Sequence, residues 1–354
     1  MAFMMKERKF TLQCPMPETD FERVTLGHGS GGRLTNHLLE KGIFSIFKSN
    51  ELQKRDDGAV LKLNGPVAFT TDSFVISPVF FPGSNIGELA VNGTVNDLAM
   101  CGAIPKFLSL SLIIEEGLPT ASLWEIIAAI KVSSDLAGVK IVTGDTKVVE
   151  KGKGDMIFIN TSGIGEVLPE ARLDTGRIKP GDVIILSGTM ATHGISVMIA
   201  REGLNFETDI LSDTRPLHEM TMPLLREFGP GIKLLRDPTR GGVATVLNEI
   251  AAKGKFGVEL DENTFPVDTT VKAACEILGL DPLYVANEGI FIMITEKEVA
   301  GKIIERLKCF EAGKQAVMIG NIIPDHAGKV IVRSSYGGKR VAVMMAGDQL
   351  PRIC

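Results

Sequence analysis

Two tandem domains of mixed α/β (α+β) type are what this sequence predicts. Three observations carry that reading. The chain has 354 residues, 44% of them apolar and 23% charged, enough for two packed domains at ~150 residues each. Apolar runs of strand length alternate with longer amphipathic ones. The segment RLDTGRIKPGD (172–182) interrupts that alternation with glycine, proline and charge, and the alternation then resumes.

Residues 1–24 are polar and without clear periodicity, so they read as an extended or mobile lead-in. GHGSGG (27–32) is too glycine-rich for the interior of a helix or strand. VAFTTDSFVIS (67–77) predicts a strand. SNIGELAVNGTVNDLAMCG (84–102) predicts a helix with Ser84 as its N-cap. A strand over 107–115, a helix over 120–138 and strands over 139–149 and 155–167 complete the first half. DVIILSG (182–188) opens a second α/β half. Helices are expected near 194–203, 214–228, 240–252, 268–279 and 296–308. Strands are expected near 255–260, 289–295, 316–323, 329–334 and 340–345. The divisions are then a lead-in (1–24), an N-terminal domain (25–170), a C-terminal domain (171–346) and a flexible tail (347–354).

Bulk properties exclude several function classes. The net charge is −5 and no basic block occurs, which argues against nucleic acid as a partner. No apolar run approaches the ~20 residues of a membrane span, and the N-terminus lacks a signal-peptide core. A cytoplasmic protein is expected. Cys14, Cys101, Cys275, Cys309 and Cys354 are scattered, without a CxxC pair, so neither a disulfide framework nor a zinc site is indicated. Cys101 and Cys275 lie in apolar helical contexts and read as core residues.

Five segments place acids or glycines where the chain changes direction: GHGSGG (27–32), RDDGAV (55–60), TTDS (70–73), NDLAMCG (96–102) and TGDTK (143–147). Asp72 and Asp145 fall in predicted strands, where an unpaired carboxylate is costly to bury. Magnesium takes oxygen ligands and keeps phosphate oxygens in its shell, and glycine lets backbone N–H groups approach phosphate. Together these segments suggest a magnesium–nucleotide site. Each aspartate taken alone reads first as a turn former or helix cap. GHGSGG is no Walker A loop, since no Lys-Ser/Thr follows it, and no dinucleotide fingerprint, since no strand leads into it. In the second half RDPTRGGVA (236–244) brings two glycines to a helix N-terminus, an anion-favouring position, or simply a capped helix packed close to a sheet.

DDGAV, TTDS, NDLAMCGAIP, GDTKVV and DPTRGGVA, in that order, resemble the superfamily of aminoimidazole ribonucleotide synthetase (PurM-like), selenophosphate synthetase and thiamine-monophosphate kinase. The form of GHGSGG and the terminal Pro351-Arg352-Ile353-Cys354 are similar to the superfamily's HypE branch of hydrogenase-maturation proteins. The resemblance covers residues 25–354. It implies a two-domain PurM-like fold and a homodimer in which the N-terminal domains form a shared β-barrel. It implies ATP and Mg2+ as cofactors, the carbamoyltransferase HypF as carbamoyl donor, and the HypC–HypD complex as cyanide acceptor. The implied reaction converts an S-carbamoyl group on Cys354 into a thiocyanate, for the iron of nickel–iron hydrogenases. Another enzyme of the superfamily, such as selenophosphate synthetase, would need a reactive cysteine near the N-terminal loop. Cys14 lies upstream of that loop, not within it. A non-enzymatic carrier scaffold is the remaining alternative.

The resemblance implies roles residue by residue. Asp57, Asp72, Asp97, Asp145 and Asp237 would be metal or phosphate-site acids, with Asp56 able to assist Asp57. Gly29, Ser30, Gly31 and Gly32 would cover the phosphates. Lys147 would orient the phosphate or the thiocarbamate oxygen, where its plain reading is a solvated surface lysine. Glu288, in ANEGI, would be the base, where its plain reading is a loop acid before a strand. His193, in ATHGI, would shape the thiol channel, or else cap or pack a helix. Cys354 would carry the substrate. The eight residues from Gly347 to Cys354 span at most ~28 Å when extended, a reach that would let the tail visit a partner and fold back.

Overall fold

The structure is a computed structural model and describes residues 21–55, 57–203, 210–345, 350 and 352–354. It divides into two compact units. The first comprises Met1–Leu98, Pro105–Glu166 and Cys354; the second comprises Ala99–Ile104 and Val167–Ile353.

The first unit begins with three short helices, α1 (Arg33–His37), α2 (Phe44–Phe47) and α3 (Asn50–Lys54), with a π-helical turn over Leu38–Ile43 between the first two. Strand β1 (Val67–Phe74) and the small hairpin β2 (Phe80–Phe81) and β3 (Ser84–Asn85) lead into α4 (Ile86–Met100). Then follow β4 (Ala103–Glu115), α5 (Thr120–Leu136), β5 (Lys140–Val149) and β6 (Ile157–Val167). The sheet order is β1-β6-β4-β5, with β1 antiparallel to β6 and β4 parallel to β5. Alternation along β6 is regular over 157–166, buried at odd positions and half-buried at even ones, as the pleat requires of a sheet with one packed face. Helix α4 covers that face closely: a Cβ on Gly163 of β6 would stand 2.7 Å from the Thr94 methyl and 3.0 Å from Leu98.

Two expectations are corrected here. Helix α4 is capped by Asn85 rather than Ser84. The Asn85 Oδ1 accepts the N–H groups of Gly87 at 2.8 Å and Glu88 at 3.3 Å, while Ser84 Oγ donates to Glu88 Oε2. The lead-in expected over 1–24 is held at its end. Val24 is fully buried, its N–H donates to the Leu118 carbonyl at 2.9 Å, and its carbonyl accepts the Gly117 N–H at 2.8 Å. Residues 1–20 lie outside the described residues.

The second unit is built on a seven-stranded sheet. Its strands are β7 (Val183–Leu186), β8 (Ile232–Arg236), β9 (Gly257–Asp261), β10 (Ile292–Thr295), β11 (Val317–Ile323), β12 (Val330–Arg333) and β13 (Lys339–Ala342). Their order is β13-β12-β9-β11-β7-β10-β8, antiparallel except for β12 beside β9. Helices α6 (Thr192–Glu202), α7 (His218–Phe228), α8 (Gly242–Gly254), α9 (Thr269–Leu278) and α10 (Lys297–Leu307) pack around it. All four residues of β7 are buried. Ile184 and Leu186 join the core with α8, whereas Val183 and Ile185 join the opposite core with α7 and α10. A strand covered on both faces reads as a continuous apolar run, which is how 182–188 reads. No helix among the described residues is long and apolar enough to cross a membrane.

Candidate functional site

Residues singled out in the first unit gather at a cavity of ≈ 500 Å³. Gly29, Ser30 and Gly31 form one wall. This loop lies flat on β5: a Cβ on Gly29 would stand 2.4 Å from the Val148 nitrogen, so only glycine fits. Gly31 has φ +78, and its N–H donates to Thr35 Oγ1 at 3.0 Å. Gly32 precedes α1 as its N-cap. Asp145 and Lys147 stand on the facing wall, two residues apart on β5 and so on one face of it. Lys147 Nζ donates to both carboxylate oxygens of Asp145 at 2.6 Å, which holds the Asp145 carboxyl below the usual carboxylate range. Both side chains are more than half exposed, so the pair contributes at most ~1 kcal/mol and a ligand can rearrange it at small cost.

The rest of the cavity mixes apolar side chains with Thr35, Asn36, Glu51 and Arg55. Leu39, Ile43, Phe44 and Leu52 line it from the short helices, and Leu110 and Ile141 from the sheet. The close approach of β5 to β4 depends on Gly144, where a Cβ would stand 2.1 Å from the Leu110 carbonyl oxygen. A cleft with an apolar side, backbone N–H groups and the cations Arg55 and Lys147 has the makings of a nucleotide site.

Within the first unit, the described aspartates do not gather at one point. Asp72 and Asp97 share a patch where β1 meets α4: Thr70 Oγ1 donates to Asp97 Oδ2 at 2.6 Å, and a Cβ on Gly93 would lie 3.7 Å from Asp72 Oδ2. Asp145 lies on the opposite edge strand of the sheet. Asp57 is exposed in the segment before β1, and Asp56 lies outside the described residues. Asp237 belongs to the second unit. Among the described residues no group of three or more His, Cys, Asp or Glu side chains converges closely enough to hold a metal ion.

In the second unit the ATHGI, DPTRGG and ANEGI turns are tied together by Asn287, a residue no motif reading singled out. Its Oδ1 accepts the Ala191 N–H at 2.6 Å, and its Nδ2 donates to the Pro238 carbonyl at 2.9 Å. Gly241 and Gly242 both take positive φ, and a Cβ on Gly242 would meet the carbonyl oxygens of Leu283 and Val285 at 2.7 Å. Asp237 opens this turn, its carbonyl accepting the Thr239 N–H at 3.1 Å. Glu288 is buried, with its backbone N–H donating to Asp213 Oδ1 at 3.2 Å. His193 is fully buried, and its Nε2 lies 2.9 Å from the Ile353 carbonyl oxygen. Burial pushes the His193 pKa down and the Asp213 carboxyl up.

The tail, expected to be flexible, is docked at its end: Leu350 and Ile353 are buried. In the first unit the Cys354 carbonyl accepts the Val75 N–H at 3.0 Å, with the Cys354 side chain partly exposed. Gly347 and Pro351 lie outside the described residues, as does Cys14. Cys101 is not a core residue; it is exposed in the turn that ends α4. Cys275 is buried, its thiol pushed up to about 11 chiefly by that burial.

Residues 55–167 match the AIR synthase related protein N-terminal domain, and residues 179–333 match its C-terminal domain. The chain is 46% identical over 332 residues to the carbamoyl dehydratase HypE of Azotobacter vinelandii, covering 94% of this chain and 97% of that one. Its structure is similar to that of a hydrogenase maturation protein HypE in complex with ATP, at TM-score 0.90 and 43% identity, covering 93% of this chain and 99% of the other. It is also similar to a chain in a HypE–HypF complex, at TM-score 0.77 and 44% identity, covering 89% of this chain and 100% of the other. Near-full-length identity of this order, with both domain matches in sequence order, places the chain in the carbamoyl dehydratase HypE family.

Proposed function

We propose that this chain uses ATP to dehydrate an S-carbamoyl group carried on its own Cys354, leaving a thiocyanate whose cyanide goes to the iron of nickel–iron hydrogenases. The observation that carries the reading is the docked tail. Ile353 sits with its carbonyl on His193, in the unit whose turns present Glu288 and Asp237.

The chemistry sets what the site must do. A thiocarbamate becomes a nitrile only by losing its carbonyl oxygen, and oxide cannot leave in neutral water. Transfer of the γ-phosphoryl group to that oxygen lets it depart as phosphate. The two N–H protons must go to bases. Glu288 is assigned the first proton. The glycine loop and Lys147 are assigned the phosphates, as fixed donors that offset charge on the transferring group. Mg2+ fits the donor chemistry of Asp72 and Asp97, both carboxylates with Thr70 beside them, and with Asp57, Asp145 and Asp237 these are the acids assigned to metal and phosphate. Bound there, the ion would neutralise phosphate charge. HypF is the assigned carbamoyl donor, since a similar chain occurs in a HypE–HypF complex, and the HypC–HypD complex is the assigned acceptor.

Mass spectrometry of carbamoylated protein incubated with ATP and magnesium tests this. Loss of one water from the peptide ending in Cys354, matched by one ADP, is expected. ADP release without that loss would remove the dehydratase reading in favour of a carrier. Chelation of magnesium, or Asp97→Asn, should abolish ATP binding by calorimetry; unchanged affinity in both would take metal out of the site.

A further inference from the structure

Helix α6 grips the end of the chain through backbone carbonyls. His193 Nε2 lies 2.9 Å from the Ile353 oxygen. A carbonyl only accepts, so Nε2 carries the proton. His193 Nδ1 then accepts the Ser212 hydroxyl at 2.8 Å, and Ser212 Oγ in turn accepts the Thr214 N–H at 3.2 Å. Every partner in this chain is satisfied with the ring neutral, the form that its burial favours. Two turns further along α6, Arg201 Nη2 donates to the Arg352 carbonyl at 2.9 Å. Leu350 packs over Gly194, where a Cβ would stand 3.2 Å from its Cδ1.

Next to Ser212 is Asp213, 6% exposed and belonging to no recognised motif. Its Oδ1 accepts the Glu288 N–H at 3.2 Å and its Oδ2 the Gly289 N–H at 3.0 Å. Its own carbonyl accepts Arg215 Nε at 2.8 Å and occupies the space of a residue-289 side chain, 1.8 Å from where a Cβ would be. The carboxylate also acts electrostatically on His193. One short segment, Ser212-Asp213, therefore fixes both the ring that holds the tail and the backbone that carries Glu288.

We propose that Asp213 and His193 are positioning residues that hold the last peptide of the tail and the Glu288 turn in one register. The grip on the tail stands on its own contacts; what the register serves rests on the dehydratase reading. Two measurements keep these apart. The first is alkylation of nucleotide-free protein, with each cysteine peptide followed by mass spectrometry. His193→Ala and Asp213→Asn are expected to speed labelling of Cys354 at least threefold. The exposed Cys101 and Cys309 should keep their wild-type rates, and buried Cys275 should stay unlabelled as a sign of intact folding. His193→Gln, whose amide still donates a hydrogen bond, should restore slow labelling. The second is single-turnover dehydration of carbamoylated Asp213→Asn at saturating MgATP, expected to slow at least tenfold with ATP affinity unchanged. Wild-type labelling of Cys354 in both variants would overturn the proposal, as would labelling that rises together with that of Cys275. If Asp213→Asn alone exposes Cys275, the comparison of His193→Ala with His193→Gln decides. Faster Cys354 labelling in the variants, together with carbamoylated wild-type protein that fails to dehydrate, would keep the grip and sink only the dehydratase reading.

Discussion

Glu288 is buried, a place where a carboxylate must be held by polar partners, and its three-residue turn is built to keep it in place. Asn287 ties neighbouring turns, and Gly289 makes room for the Asp213 carbonyl. Glu288→Gln keeps size and hydrogen-bonding shape while removing basicity. It should accept the carbamoyl group and bind ATP, yet dehydrate about 10²–10⁴-fold more slowly in single turnover. A rate within a few-fold of wild type would make Glu288 structural. His218 gives a separate residue-level test. Burial depresses its pKa, and among the described residues its Nδ1 has no hydrogen-bond partner. A folded pKa below the unfolded ~6.5 means the unfolded chain binds the proton more readily. The contribution to stability is therefore complete above ~6.5 and is lost as pH falls through the folded pKa. His218→Gln should remove that part of the pH dependence, at most ~1.4 kcal/mol per pH unit. The check is thermal melting from pH 7.5 to 5.5; parallel curves for variant and wild type would contradict it.

Between residues and the whole, glycine decides where elements meet. Gly29 and Gly31 share one loop but face different constraints. Gly31 has open space around it and needs only its positive φ, so Gly31→Ala should cost ~1–2 kcal/mol of backbone strain. Gly29→Ala drives a methyl into β5 and must lift the loop off the cavity wall. At least tenfold weaker ATP binding is expected, with the melting temperature less affected, and calorimetry beside a thermal melt separates the two variants. Equal ATP affinities would mean the loop does not cover the phosphates. The same physics explains what the sequence made legible. Most elements from residue 67 onward are strongly patterned, and most of their bounds fall within a few residues of expectation. The helices over 33–54 were not read because each has four or five residues and a π-helical turn breaks their period. Strand β8 was missed because IKLLR is short and follows GPG closely. Glycine loops and signature acids announce themselves by spacing, whereas Asp213, Asn287 and the buried pair of Asp182 with Lys233 at 2.9 Å act through contacts distant in sequence. No local pattern reports such partners.

For the molecule as a whole, the unsettled surface is the open face of the first unit's sheet. Helix α4 covers one face; on the other, Phe69 is 68% exposed, Val67 46% and Ile113 44%. Strands β1 and β5 are the outermost strands of this sheet among the described residues, the positions that most readily meet another chain. Apolar side chains scattered over a monomer are ordinary, but three on one sheet face are a template for association. A second copy meeting this face would bury Phe69 and pair the edges, closing two half-barrels into one in the manner of a two-fold dimer. An interface of this kind needs ~800 Å² per partner, which a four-stranded sheet face can supply. Light scattering at low micromolar concentration should report about twice the chain mass. Phe69→Glu, which sets a charge on the apolar face without touching the cavity, should shift the protein to monomer. It should also lower ATP affinity if the Asp72–Asp97 patch of one copy meets the Asp145–Lys147 wall of the other. That coupling would explain why Asp72 and Asp145 stand on opposite edge strands of one sheet. A wild-type protein that stays monomeric at full activity would contradict the dimer, and a dimeric Phe69→Glu would move the interface to another face.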